Sequence, residues 1–158
     1  MTEPLPRRRH IRLAPEVYQG PGTFSVTIST ANRLPLLKQP DTVDMCTAAL
    51  AEIASQHGMD VLAYCFMPDH LHLLIEAASG NLIQFMKAFK QMSGCHHRRA
   101  LGQRLWQKGY YDHVLRRGED VNSVAEYIYH NPVRAGLVES AAQHPFSGGR
   151  LLAPLRAT

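Results

Sequence analysis

With 158 residues, of which 45% are hydrophobic and 19% charged, the chain has the size and composition of one folded domain and not of a disordered segment. Lys and Arg outnumber Asp and Glu by 17 to 13, a formal charge of +4, which is compatible with a phosphate-rich partner without requiring one. Lys, Arg, Asp or His interrupts every apolar run before it reaches membrane-spanning length, and the basic N-terminus lacks the apolar segment of a secretory signal, so no membrane partner and a cytoplasmic location are expected.

The positive charge is clustered. Arg7, Arg8, Arg9, His10 and Arg12 form one group; Lys87, Lys90, His96, His97, Arg98, Arg99, Arg104 and Lys108 a second; Arg116, Arg117 and Arg134 a third. One such group is an ordinary solvated face, whereas three in a small domain favour a polyanion. Cys46, Cys65 and Cys95 are distant from one another and odd in number, which argues for free thiols and against a disulfide framework or a zinc knuckle.

Residues 1–21 are polar, Pro-rich and basic, and are expected to form an arm that orders on a partner. Phe24 to Thr30 alternates and is β-branched, the signature of a first strand. After a loop with Pro35 and Pro40, Asp41 is placed to cap a helix that runs to about His57, with Val43, Cys46, Ala49, Leu50 and Ile53 on one face. Met59–Phe66 and His70–Glu76 read as two strands joined by a tight connection at Met67-Pro68-Asp69. Asn81 can cap a second helix with Leu82, Phe85, Met86 and Phe89 at helical spacing, weakened near its end by Gly94. Tyr111–Leu115 is a fourth strand, and Asp120 caps a third helix that Pro132 ends near His130. Beyond Gly136 the chain is irregular, with Gly148-Gly149 suggesting a frayed tail. Strand, helix, strand, strand, helix, strand and an extra helix is the ferredoxin-like split βαβ order, an α+β fold with an antiparallel sheet, helices on one face and the other face open.

Alternation along the third strand puts His70 and His72 on one face and Leu71, Leu73 and Ile75 on the other. Two imidazoles about 6–7 Å apart along a strand can converge on one divalent cation. Taken alone, the pair reads first as two solvent-facing polar residues on a half-exposed sheet, because short motifs often match by chance. On the third helix Tyr127 and Asn131 are four apart and share a face, with Tyr127 at the edge of a Val121, Val124 and Ile128 core stripe.

The stretch Met67-Pro68-Asp69-His70-Leu71-His72-Leu73-Leu74, followed by Tyr127-Ile128-Tyr129-His130-Asn131-Pro132-Val133-Arg134-Ala135-Gly136-Leu137-Val138, resembles the IS200-like Y1 transposases, most nearly their REP-associated branch. Trp106 to Arg116, and Val26-Thr27-Ile28 with Asn32-Arg33, carry the likeness further. It spans roughly residues 22–146, leaving 1–21 as the basic arm and 147–158 as an irregular tail. The resemblance implies that His70, His72 and Asn131 hold a divalent metal ion, Mg²⁺ or Mn²⁺, and that Tyr127 is the nucleophile. Relatives more often have Asn where this chain has Asp69, whose carboxylate can orient one of the histidines from behind. The implied activity is cleavage and strand transfer on single-stranded DNA bearing a hairpin, as in DNA transposition or the processing of REP elements. It runs through a 5′-phosphotyrosine, in a monomer or a homodimer.

The chemistry suits these residue types. A cation neutralises charge on the scissile phosphate, and a tyrosine hydroxyl, weak at its usual pKa near 10, needs that activation. Arg7, Arg8, Arg9, Arg12, Lys87, Lys90, Arg98, Arg99, Arg116 and Arg134 are the expected DNA contacts. Tyr110, Tyr111 and Tyr129 are rival nucleophiles. Two other functions compete: a hairpin-binding protein without catalysis, and a metal-dependent phosphoesterase that activates water.

Overall fold

The computed structural model describes residues 15–18, 20–116 and 118–156. Arg7, Arg8, Arg9 and Arg12 therefore lie outside the described residues. Strand β1 (Gly22–Ser29) leads through two short 3-10 turns into helix α1 (Pro40–Gln56). Strands β2 (Met59–Met67) and β3 (His70–Ala77) form a hairpin, followed by α2 (Leu82–Leu101) and β4 (Tyr111–Val114). Helices α3 (Val121–Tyr129) and α4 (Asn131–Arg134), a two-residue strand β5 (Ser147–Gly148) and α5 (Ala153–Arg156) complete the fold.

Among the described residues the strands form one sheet in the order β4-β1-β3-β2-β5, with every neighbouring pair antiparallel. β3 lies between β1 and β2, so the β1–α1–β2 unit is split, as the sequence pattern predicts for a ferredoxin-like α+β fold. Side-chain alternation does the sorting. Phe24, Val26 and Ile28 of β1 and Leu71, Leu73 and Ile75 of β3 are fully buried beneath α1 and α2, with Phe85, Met86 and Phe89 of α2 packed on them. Removing each such side chain from water is worth about 1.5–3 kcal/mol, so a one-residue slip of β3, which would turn Leu71, Leu73 and Ile75 outward, is strongly disfavoured. That register is what fixes His70 and His72 on the opposite face.

The opposite face is not open, as expected from the strand–helix pattern, but half covered. Ala125, Ile128 and Tyr129 of α3 pack with Ala63, Cys65 and Met67 of β2 and Leu74 of β3, and Ala141 and Leu152 close the edge of this second core. The third helix thus sits across the sheet from α1 and α2. Its apolar stripe had no place on a layer already filled by two helices.

Local details differ from the sequence expectations. Asp41 does not cap α1: the cap is Gln39, with no side-chain bond, Pro40 opens the helix, and Asp41 sits in the first turn, where its charge still suits the helix N-terminus. Helix α2 runs past Gln91, as expected, and beyond Gly94 to Leu101, stopping at Gly102 in the left-handed conformation (φ 68°). Pro132 does not merely end α3, since it lies in the first turn of α4, where a missing N–H costs nothing. The arm is already docked at Tyr18, which is buried against Phe24 with ring centroids 6.3 Å apart. The tail is docked as well: Ser147 and Gly148 pair with Cys65 and Tyr64, and Leu152 is fully buried. Gly149 (φ 106°) makes this possible, because a Cβ there would stand 2.7 Å from the Ala63 Cα and the Leu62 carbonyl.

Candidate active site

On the face away from α1 and α2, β3 has Thr27 of β1 on one side and Cys65 of β2 on the other, both in register with His72. The His70 ring is 8% exposed and meets His72 edge to face, with Nε2 atoms 3.0 Å apart. The other ring nitrogens are engaged. His70 Nδ1 bonds Asp69 Oδ1 at 2.7 Å, and His72 Nδ1 bonds the Thr27 hydroxyl at 3.2 Å. Burial pushes both imidazoles below the ordinary histidine value, opposed at His70 by the Asp69 carboxylate and reinforced at His72 by His70 and Arg134. The lowered values favour the neutral form of both rings, which is the form that can ligate a metal ion.

Asp69 is ionised. Burial alone would raise its pKa, but hydrogen bonds from His70 and Arg33 outweigh that and hold it below the usual range. Arg33 Nε and Nη2 reach the second carboxylate oxygen, Oδ2, at 3.0 and 2.8 Å. The turn that carries Arg33 is costly: Asn32 (φ 53°) and Arg33 (φ 55°) are both left-handed without being glycine, at roughly 1–2 kcal/mol each for an ordinary side chain and less for Asn. The Arg33 side chain is 43% exposed, and an ion pair of that exposure contributes at most about 1 kcal/mol.

The donor set fits a divalent cation. The ionised Asp69 carboxylate can only accept, so His70 carries its proton on Nδ1 and turns its Nε2 lone pair towards His72 Nε2, 3.0 Å away. Among the described residues no group of three or more His, Cys, Asp or Glu side chains is arranged to hold a metal ion. Asn131 is buried and its Nδ2 has no hydrogen-bond partner. A buried unmatched N–H costs about 1–3 kcal/mol, but Nδ2 is a donor and cannot ligate a cation; the ligand atom of Asn131 would be Oδ1, which Arg134 Nη2 approaches at 3.5 Å.

Tyr127 is 49% exposed on α3, with the guanidinium of Arg134 3.6 Å from its ring centre. Arg134 Nη2 donates to the Tyr127 carbonyl at 2.6 Å and approaches Asn131 Oδ1 at 3.5 Å, and the same charge bears on His72. Arg134 thus joins the tyrosine and asparagine of one layer to the histidines of the other. The rival tyrosines separate by burial. Tyr129 is packed in the second core and Tyr110 in the first, under α2. Tyr111, opposite Thr27 in the β1–β4 register and 38% exposed, shares the histidine face.

The expected DNA contacts also separate. Lys87, Arg98, Arg99 and Arg116 are exposed. Lys90 is instead engaged in the fold, its ammonium donating to the carbonyls of Gln107 and Gly109 at 3.0 and 2.9 Å. A groove of about 320 Å³ between α2 and residues 104–107 lies on the helix-covered side. Sequence reasoning missed Thr27 and the role of Arg33. Only the β1–β3 register reveals Thr27, and Arg33 meets Asp69 across 36 residues.

The family described as "Transposase IS200 like" matches residues 22–131. A candidate REP-associated tyrosine transposase of Haemophilus influenzae is 24% identical over 68% of this chain and 68% of its own length. The REP-associated tyrosine transposase of Escherichia coli K12 is 24% identical over 80% of this chain and 75% of its own. Among solved structures, a REP-associated tyrosine transposase bound to a REP hairpin shares the fold, with a TM-score of 0.69 and 24% identity, over 93% of this chain and 82% of that one. A transposase candidate from Deinococcus radiodurans does so with a TM-score of 0.54 and 22% identity, over 80% and 98%. No described helix is long and apolar enough to cross a membrane.

Proposed function

The chain belongs to the IS200-like transposase family, and on that footing we propose that it is a metal-dependent single-stranded DNA endonuclease and strand transferase that acts on hairpin-bearing DNA. The observation that carries this reading is the convergence of two neutral imidazoles, His70 and His72, their Nε2 atoms 3.0 Å apart. They lie on the sheet face that α3 covers, and α3 carries the exposed Tyr127. The hairpin-bound relative of the same fold supports the substrate class.

In this reading His70, His72 and Asn131 hold Mg²⁺ or Mn²⁺, which supplies charge neutralisation at the scissile phosphate. The Tyr127 oxygen attacks the phosphorus in line, the P–O3′ bond breaks, and the departing strand takes up a proton as a free 3′-hydroxyl. The phenol proton leaves to solvent. The 5′ side remains esterified to Tyr127, and attack by another 3′-hydroxyl reverses the chemistry and joins strands without a nucleotide cofactor. Arg134, over the Tyr127 ring and near His72, favours the phenolate and the approaching phosphate alike. The packing of α3 on β2 and β3 of its own chain supports a tyrosine that serves its own histidines.

The test is incubation of the full chain with end-labelled single strands carrying the hairpins that flank its own gene, with and without Mn²⁺. A metal-dependent, SDS-resistant protein–DNA band is expected. Metal-dependent cleavage with no such band would transfer the reaction to an activated water.

A further inference from the structure

The turn after β1 is held partly within itself, partly to the 105–106 segment through Ala31 N on the Leu105 carbonyl at 2.8 Å, and partly to the β2–β3 connection. Thr30 N donates to the Asp69 carbonyl at 3.0 Å, and Leu37 N donates to the Pro68 carbonyl at 3.0 Å. The Thr30 hydroxyl lies 2.7 Å from the Leu34 carbonyl and 3.1 Å from that of Asp69. These contacts over-determine the left-handed pair Asn32-Arg33, and their product is one placement: the Arg33 fork on Asp69 Oδ2. A half-exposed ion pair stabilises a fold too little to account for a strained turn, whereas strain of this kind persists where it serves a site.

Asp69 divides its two oxygens. Oδ2 is taken by Arg33 and Oδ1 by His70 Nδ1. A carboxylate beside a histidine pair would otherwise be free to turn and bind the cation itself, or to swing away from His70. With both oxygens engaged, it can only hold His70 with the proton on Nδ1 and the Nε2 lone pair aimed at His72.

We propose that Arg33 is a positioning residue, which acts through Asp69 to lock the orientation and tautomer of His70 for divalent-cation binding. The inference rests on the metal-binding reading of His70 and His72. It makes the 30–34 turn part of the active site, with Arg33 acting through Asp69 and not as a ligand of the cation.

The test is Mn²⁺ titration of the full chain, followed by calorimetry and by the Mn²⁺ paramagnetic signal, in the wild type, Arg33→Ala, Arg33→Lys, Asp69→Asn and the Arg33→Ala/Asp69→Asn pair. Arg33→Ala should weaken Mn²⁺ by about 10–100-fold, the usual cost of losing a group that supports a metal ligand, with the unfolding temperature nearly unchanged. Arg33→Lys should restore little of this, because an ammonium cannot present the planar fork. In the Asp69→Asn background, Arg33→Ala should add almost nothing. Wild-type Mn²⁺ affinity in Arg33→Ala, or an equal loss in both backgrounds, would overturn the proposal. A readout without metal separates it from the reading on which it rests. Imidazole ¹⁵N spectra should show His70 wholly in the Nδ1–H form in the wild type and a tautomer mixture in Arg33→Ala. An unmixed Nδ1–H form in both overturns the positioning role, even if the wild type binds no metal at all.

Discussion

The guanidinium of Arg134 lies 3.6 Å from the centre of the Tyr127 ring, so the half-exposed tyrosine of α3 carries a fixed cation over its ring face. The same side chain ties to the Tyr127 carbonyl and lowers the pKa of His72. One arginine thereby couples the nucleophile candidate to the histidine pair. Arg134→Ala should slow adduct formation by about 10–100-fold through lost positioning and charge, while stability changes by no more than about 1 kcal/mol, as for an exposed cation–π contact. Single-turnover kinetics alongside urea melts separate the two. A large loss of stability with unchanged kinetics would make Arg134 a brace only.

Tyr127→Phe removes one oxygen from a half-exposed side chain, so folding and Mn²⁺ binding should survive. The covalent adduct should vanish, a loss of at least about 10³-fold, because positioning cannot replace a missing nucleophile. If an adduct persists, peptide mapping will name its carrier. Tyr111 is next in line, since it shares the histidine face, whereas Tyr129 and Tyr110 are packed in the two cores.

His70→Ala and His72→Ala should each abolish cleavage yet leave hairpin affinity within about threefold, because affinity comes mainly from phosphate contacts. Gel shifts and cleavage assays on the same preparations measure both, and EDTA should reproduce the loss of cleavage in the wild type. Undiminished cleavage in EDTA would remove the metal from the reaction.

The basic N-terminal segment has a distinct signature. Changing Arg7, Arg8 and Arg9 to Ala should weaken DNA binding and reduce the slope of log affinity against log salt by about 0.7 for each lost contact to single-stranded DNA. Affinity measured at several salt concentrations decides this. An unchanged slope means that the arginines do not meet phosphates.

His144 predicts a pH effect remote from the histidine pair. It is buried, its Nε2 donates to the Phe66 carbonyl at 2.8 Å, and burial lowers its pKa, opposed by that hydrogen bond and reinforced by Arg156, whose Nη1 donates to the His144 carbonyl at 2.8 Å. A depressed histidine binds its proton more weakly folded than unfolded. Its contribution to stability is therefore full above the unfolded value near 6.5 and is lost as pH falls through the lower folded value. At pH 6.5, where an unperturbed histidine is half protonated, the His144 imidazole signals should show the neutral ring in excess, and a charged ring in excess there would contradict the burial.

Much of this was legible in the chain because it depends on period and local chemistry. Alternation in 70–76 separates the histidines from Leu71, Leu73 and Ile75 without knowledge of any partner strand, since side chains in a strand must point to opposite faces. Asn81 and Asp120 cap their helices as the sequence indicates, through bonds to Gln84 N and Asn122 N, because a cap acts within three residues. The same locality explains the error at Asp41, where the neighbouring Pro40 opens the helix, and the extension of α2 from Gln91 to Leu101, where the packing of a long apolar face outweighs the propensity of Gly94.

Contacts between distant segments were decided by the tertiary structure alone. Thr27 meets His72 through the β1–β3 register, Arg33 meets Asp69 across a strained turn, and Arg134 folds back over Tyr127. Nor could periodicity assign α3 to the histidine side of the sheet. An amphipathic stripe says that a helix must be buried, not against which layer, and that choice followed only once α1 and α2 had filled the other face.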